Sequence, residues 1–281
     1  MRLYLISGLA GNVYIDILHY GKIMKGICKL CLEEKELLES HSIPRSYFKR
    51  LKKNDSQLII FQKGSKPKRE NVDPKEPLLC FECEQFISHE YESYGTRLLR
   101  NHHNIRKNSD HIIINSFDYN RFYLFLLSIL WRASISKSVH YSTVNGVPEL
   151  DDLMRHCIKN KQVRINKLSH LKVDNFIRIC VFRLIDTANN IPDYVIKSIL
   201  SNFAFIESDE TDSVLWYFIV EGFAIFYVFS AYKDYHDVIR MRLKSQLTSG
   251  SHQKIFKIDI FKDALFSKIF IDLLTAANEP K

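Results

Sequence analysis

Two Cys-x-x-Cys pairs constrain this chain more than any other feature: Cys28-Lys-Leu-Cys31 and Cys80-Phe-Glu-Cys83, with 48 residues between them. A two-residue gap lets both sulfurs of a turn reach one ion, while the turn's backbone amides soften the thiolate charge. Two such knuckles complete a tetrahedral Zn²⁺ shell at about 2.3 Å per Zn–S bond. The intervening segment is then a loop or hairpin pinned at both ends. It holds few large apolar residues, so a small module there needs the roughly 10–16 kcal/mol that a structural zinc ion adds to folding. Redox pairs would call for a βαβ pattern, which these residues do not show, and a disulfide framework suits a short secreted chain better. The pattern therefore predicts a metal site in a reducing compartment, which makes the expected location cytoplasmic. Cys157 and Cys180 lie among apolar residues and read as buried free thiols.

Charge narrows the partner. The net charge is +8, and 25 residues from Arg45 to Arg69 carry nine cations against one acid, Asp55. That segment alone holds an excess equal to the whole chain's. It includes Arg45, Lys49, Arg50, Lys52 and Lys53, with Tyr47 and Phe48 among them. A charge run is usually a solvated face. Here it falls between the cysteine pairs, where a phosphate backbone is a natural partner because each contact releases counterions. A second cationic group follows at Arg97, Arg100, His102, His103, Arg106 and Lys107.

Ten residues after Cys31 the chain reads His41-Ser-Ile-Pro44, and directly after Cys83 comes Glu84, opening a predicted helix EQFISHEYESY. The order Cys-x-x-Cys, His-x-Ile-Pro, Cys-x-x-Cys, helix resembles the HNH endonuclease family over about a quarter of the chain. The resemblance implies a treble-clef ββα-metal module and metal-dependent hydrolysis of phosphodiesters. DNA is the expected substrate ahead of RNA. It further implies His41 as the general base that activates water and Glu84 as ligand to a catalytic Mg²⁺ or Mn²⁺. His89 and Glu90 lie further along the same helix. The chain departs from the family in having Ser40 before the histidine and Lys75 where an Asn is usual. The alternative is a non-catalytic zinc module that binds nucleic acid or a protein. Effectors of anti-phage or restriction systems often have a nuclease module of this kind. No Gly-rich phosphate loop is present, so any nucleotide-driven step would fall to a protein partner such as an ATPase subunit.

Three zones follow from composition. Residues 1–23 are expected to be an N-terminal extension, 24–116 the zinc module with its basic loop and a connector over 96–116, and 117–281 a second domain. In the second domain Asp118 is a plausible N-cap for a buried helix with Trp131 in its core and Arg132 snorkelling outward. Further helices are expected near 149–160, 173–187, 192–204 and 259–275. Val214–Tyr232 is apolar enough to suggest a membrane span, yet Glu221-Gly222 interrupts strand-forming residues, which predicts two buried strands and no membrane. The expected class is α+β: a zinc-stapled ββα module followed by a mostly helical domain with a short β-hairpin.

Overall fold

A computed structural model describes residues 24–278, apart from 54–55, 63–64, 101–103, 145, 147, 166–170, 208–213 and 230–243. The expected extension, residues 1–23, lies outside the described residues. No described helix is long and apolar enough to cross a membrane.

The cysteine-bearing part begins as expected. Strands β1 (Met24–Ile27) and β2 (Glu34–Ser40) form an antiparallel hairpin, and β2 also pairs with β5 (Glu76–Cys80). Helix α1 (Arg45–Lys53) follows β2, and the small ladder β3 (Leu58–Ile60) with β4 (Lys68–Glu70) precedes β5. Helix α2 (Phe81–Ile87) starts at the residue after β5 and runs through a π-helical turn, Ser88–Glu92, into α3 (Ser93–Arg100). On α1 the buried residues are Tyr47, Phe48 and Leu51, spaced at three and four residues, so the cations occupy the other face.

The rest is mixed α+β, and the expectation of a mostly helical second domain is corrected. Its centre is a seven-stranded sheet in the order β6-β7-β12-β8-β11-β10-β9. The strands are β6 (Ile105–Lys107), β7 (His111–Asn115), β8 (Ile177–Ile185), β9 (Ala204–Glu207), β10 (Val214–Val220), β11 (Phe223–Phe229) and β12 (His252–Asp259). Among the described pairings of this sheet, only β12–β8 is parallel. The hairpin β10–β11 turns at Glu221-Gly222, as the sequence predicts.

The helix expected over 173–187 is mostly a strand, β8, because this sheet is covered on both faces. In β8, Ile177, Ile179 and Val181 join one core cluster while Cys180, Phe182 and Leu184 join the other. Such a strand is continuously apolar, and its run of residues looks the same as a buried helix. Only the short turn Val173–Asn175 and α6 (Asp193–Lys197) remain helical where helices over 173–187 and 192–204 were expected. The predicted helix at 149–160 is α5 (Pro148–Lys159), and that at 259–275 is α7 (Ala264–Asn278). Residues 96–116, expected to connect two domains, instead hold the end of α3 and the hairpin β6–β7, which pairs with β12.

Helix α4 (Tyr119–Ser134) is capped by the Asp118 side chain, which accepts from the Arg121 amide, and is buried along almost its whole length. It lies between the sheet and α3: the Tyr227 hydroxyl donates to the Leu126 carbonyl, and Gly95 of α3 meets Phe125 so closely that a Cβ would fall 2.0 Å from its ring. Arg132 does not snorkel. It is 1% exposed and pairs at 2.7 Å with Glu92 in the π-helical turn. One continuous core therefore runs from the cysteine-bearing strands through α3 and α4 to the sheet.

Candidate functional site

The four predicted metal ligands converge. Cys28 and Cys31 occupy the turn between β1 and β2, Cys80 ends β5, and Cys83 sits in the first turn of α2. Leu32 adopts a left-handed conformation, φ 64°, so that its amide can return to the Cys28 carbonyl at 2.9 Å. The Lys29 amide reaches the Leu78 carbonyl at 3.0 Å, which ties the knuckle to β5. All four sulfurs lie within 4.8 Å of one another. A tetrahedron with 2.3 Å bonds has edges of about 3.8 Å, so this set suits a metal such as zinc.

The sulfur electrostatics suit a cation too. Burial pushes the Cys28 thiol up, but amide hydrogen bonds from Cys31, Cys80 and Leu30 outweigh it and bring the thiol down to about 7. Burial pushes Cys80 up to about 11 and Cys83 further still, the neighbouring sulfurs adding to the rise at Cys83. Cys28 is thus held ready as thiolate, whereas Cys80 and Cys83 resist further negative charge until a metal supplies the counter-charge.

A second constellation stands beside this group. The β2–β5 ladder shifts register between Leu38 and Glu39, opposite Pro77, which has no amide to donate. Beyond that bulge, Ser40 and His41 are buried at the strand end. The Ser40 hydroxyl donates to the Glu84 carboxylate on α2 at 2.8 Å. His41 Nε2 lies 2.9 Å from Asp73 Oδ1, and the His41 ring lies 5.5 Å from that of Phe48. Lys52 on α1 holds the other Asp73 oxygen at 2.6 Å. Burial pushes the His41 imidazole below its ordinary value of 6.5; Asp73 opposes this, and Arg45 reinforces it. Asp73 is itself held below the usual carboxylate range: burial opposes this, and Lys52 and His41 outweigh it. A neutral His41 donates a hydrogen bond from Nε2–H to the Asp73 carboxylate and keeps the Nδ1 lone pair as an acceptor.

The structure thus brings His41 and Glu84 to one strand end, bridged by Ser40. It adds Asp73, whose place in the loop before β5 carries no local sign of its role. Lys75, at the position where the family has Asn, pairs with Glu39 at 2.7 Å. His89 is exposed, and Glu90 pairs with Lys161 at 2.9 Å, so the helix beyond Glu84 turns to other partners. Among the five cations singled out on α1, Arg45, Lys49 and Lys53 are exposed on one stripe. Lys52 faces Asp73, and Arg50 turns to Glu221 at 3.1 Å. Among the described residues, the only close group of three or more Cys, His, Asp or Glu donors is the cysteine set. Comparison of the chain with protein-family models, with curated proteins and with solved structures gives no match.

Proposed function

We propose that the cysteine group holds a structural zinc ion and that His41 and Glu84 form an HNH-like site for phosphodiester hydrolysis. The observation that carries this reading is the pairing of His41 with Asp73 beside a carboxylate on the helix that the second cysteine pair opens. A general base needs a free lone pair near neutral pH and a partner that fixes its ring. Asp73 supplies the second, and Lys52 restrains Asp73 in turn. His41 takes a proton from water at Nδ1, and Asp73 stabilises the resulting imidazolium. Glu84 alone is not a cage for an ion. A hard divalent ion such as Mg²⁺ or Mn²⁺ nevertheless binds through one or two carboxylates plus substrate phosphates, and there it would neutralise charge on the phosphate. Arg45, Lys49 and Lys53 offer a cationic stripe for a nucleic-acid backbone, DNA ahead of RNA. A role in anti-phage defence rests on the family resemblance alone.

One observation favours a second reading. His41 is only 7% exposed and its Nε2 is already engaged, which also suits a histidine that packs the end of β2 in a non-catalytic binding module. A cleavage assay separates the two. Wild type and His41→Ala, both checked for zinc content and folding, are incubated with plasmid, linear DNA and RNA in Mg²⁺ or Mn²⁺. Loss of cutting by roughly 10²–10⁴-fold in a folded, zinc-loaded variant supports the nuclease. Equal cutting by both removes His41 from the chemistry, and binding without cutting by wild type assigns the module to recognition.

A further inference from the structure

A separate cavity of about 240 Å³ opens where α1, α3, α6 and the seven-stranded sheet meet. Among the described residues, six cations line it: Arg50, Arg100, Lys107, Arg183, Lys197 and Lys257. Two described carboxylates do, Asp193 and Glu221, so four positive charges are in excess among these residues. Both carboxylates are already shared. Glu221 takes Arg100 at 2.7 Å and Arg50 at 3.1 Å, while Asp193 takes Arg183 and Lys197. Lys257 donates to the neutral carbonyl of Asn108 at 2.6 Å. Two ion-pair groups therefore account for four of the cations and leave Lys107 and Lys257 outside them, like charges whose convergence in a partly enclosed space opposes folding.

The site is also built with care around its least exposed cation. Arg183 is 8% exposed, donates to the Gly222 carbonyl, and lies 5.4 Å over the Phe223 ring. Gly222 has φ +76°, and a Cβ there would fall 1.7 Å from the Arg183 guanidinium. Its neighbour Glu221 has φ 48°, so both residues adopt the left-handed conformation that the two-residue β10–β11 turn requires, and that turn fixes Glu221 at the cavity's edge. The remaining wall is apolar, with Ile105, Ile112 and Ile185 beside Phe223.

We propose that this cavity binds a free phosphate ester of mononucleotide size, its phosphate taken by Lys107, Lys257 and Arg183 and its organic part by the isoleucine wall. Ligand pockets run to about 300–1,000 Å³, so this one, at about 240 Å³, falls just below that range and suits a single small phosphate ester better than a polymer. The site is independent of His41, and nothing in the cleavage reading assigns it.

The test uses the full chain at constant ionic strength, without added divalent ions. Calorimetric titration and thermal melting are read with AMP, inorganic phosphate, adenosine and a 5′-phosphorylated oligonucleotide. AMP is expected to bind saturably and raise the melting temperature, inorganic phosphate to bind more weakly, and adenosine not at all. Lys107→Ala with Lys257→Ala should weaken AMP at least roughly tenfold, since charge-assisted contacts are lost. Lys107 is exposed and Lys257 half-buried, so the ligand-free melting temperature of the alanine pair is compared with wild type to check folding, and the Lys→Arg pair should restore binding. Absence of AMP binding by wild type overturns the proposal, as does an alanine pair that binds AMP like wild type. Binding of the oligonucleotide but not of AMP also overturns it and assigns the pocket to nucleic-acid ends.

Discussion

His41 and Asp73, 32 residues apart in the chain, meet at 2.9 Å between Nε2 and a carboxylate oxygen, and this pairing decides what His41 can do. Burial lowers the His41 imidazole below 6.5, and Asp73 draws it part of the way back. If His41 is the base, cleavage plotted against pH should have an acid limb with its midpoint below 6.5. Asp73→Asn removes the upward pull, so that midpoint should move lower still, while the rate at the plateau falls by roughly 10–100-fold for loss of an orienting partner. The sign extends to stability. Because the folded value is the lower one, the unfolded chain takes up this proton first, and the fold loses stability as pH falls below 6.5. A limb that moves upward in Asp73→Asn would remove the pairing from the chemistry.

The cysteine group makes a prediction that does not depend on catalysis. Cys28 and Cys80 are 0% and 1% exposed, so an empty cluster leaves buried sulfurs without a counter-charge. Removing the ion with a strong chelator, or replacing Cys83 with Ala, should lower the melting temperature sharply. Structural zinc contributes about 10–16 kcal/mol of apparent folding energy in small modules, although the shared core with α3 and α4 will retain part of this fold. Metal analysis should return one zinc per chain in wild type and much less in the variant. A chain that purifies without metal and melts unchanged in chelator would reduce the cluster to four thiols.

What the sequence disclosed depended on how local each signal was. The two Cys-x-x-Cys pairs were legible because ligand spacing is a short-range property. The Glu221-Gly222 turn and the Asp118 cap were legible for the same reason. Strand β8 was not, since its residues are buried on both faces and lose the alternation that marks a strand. Asp73 was hidden because nothing near it signals a contact with a histidine 32 positions earlier. Arg132 looked like a surface cation on an apolar helix; its partner Glu92 lies on another element, 40 residues away. The segment 96–116 looked like a connector because its cations hide Ile112 and Ile114, which are 5% and 0% exposed.

Arg132 and Glu92 test whether the cysteine-bearing helix and the sheet stand or fall together. The arginine is 1% exposed and also donates through Nε to the Ser128 carbonyl at 3.1 Å. Glu92→Ala would strand a buried guanidinium, which typically costs about 3–5 kcal/mol. Urea denaturation should show that loss as one cooperative transition, because the core is continuous across α3 and α4. Two separated transitions would show that the parts unfold independently.

The cationic stripe of α1 predicts which positions govern salt dependence. Lys49, Lys53 and Arg50 are all exposed, but Arg50 is tied to Glu221. Each lysine that contacts a phosphate contributes about 0.9 to the slope of log affinity against log salt on duplex DNA. Lys49→Ala with Lys53→Ala should therefore reduce that slope by roughly two and weaken binding evenly across sequences. Arg50→Ala should leave the slope where it is, because its guanidinium serves Glu221. Both variants would be compared by fluorescence anisotropy on one labelled duplex over a salt series. If Arg50→Ala instead reduces the slope as Lys49→Ala does, the arginine leaves Glu221 when nucleic acid arrives, and the cationic surface extends from the α1 stripe towards the Glu221 turn.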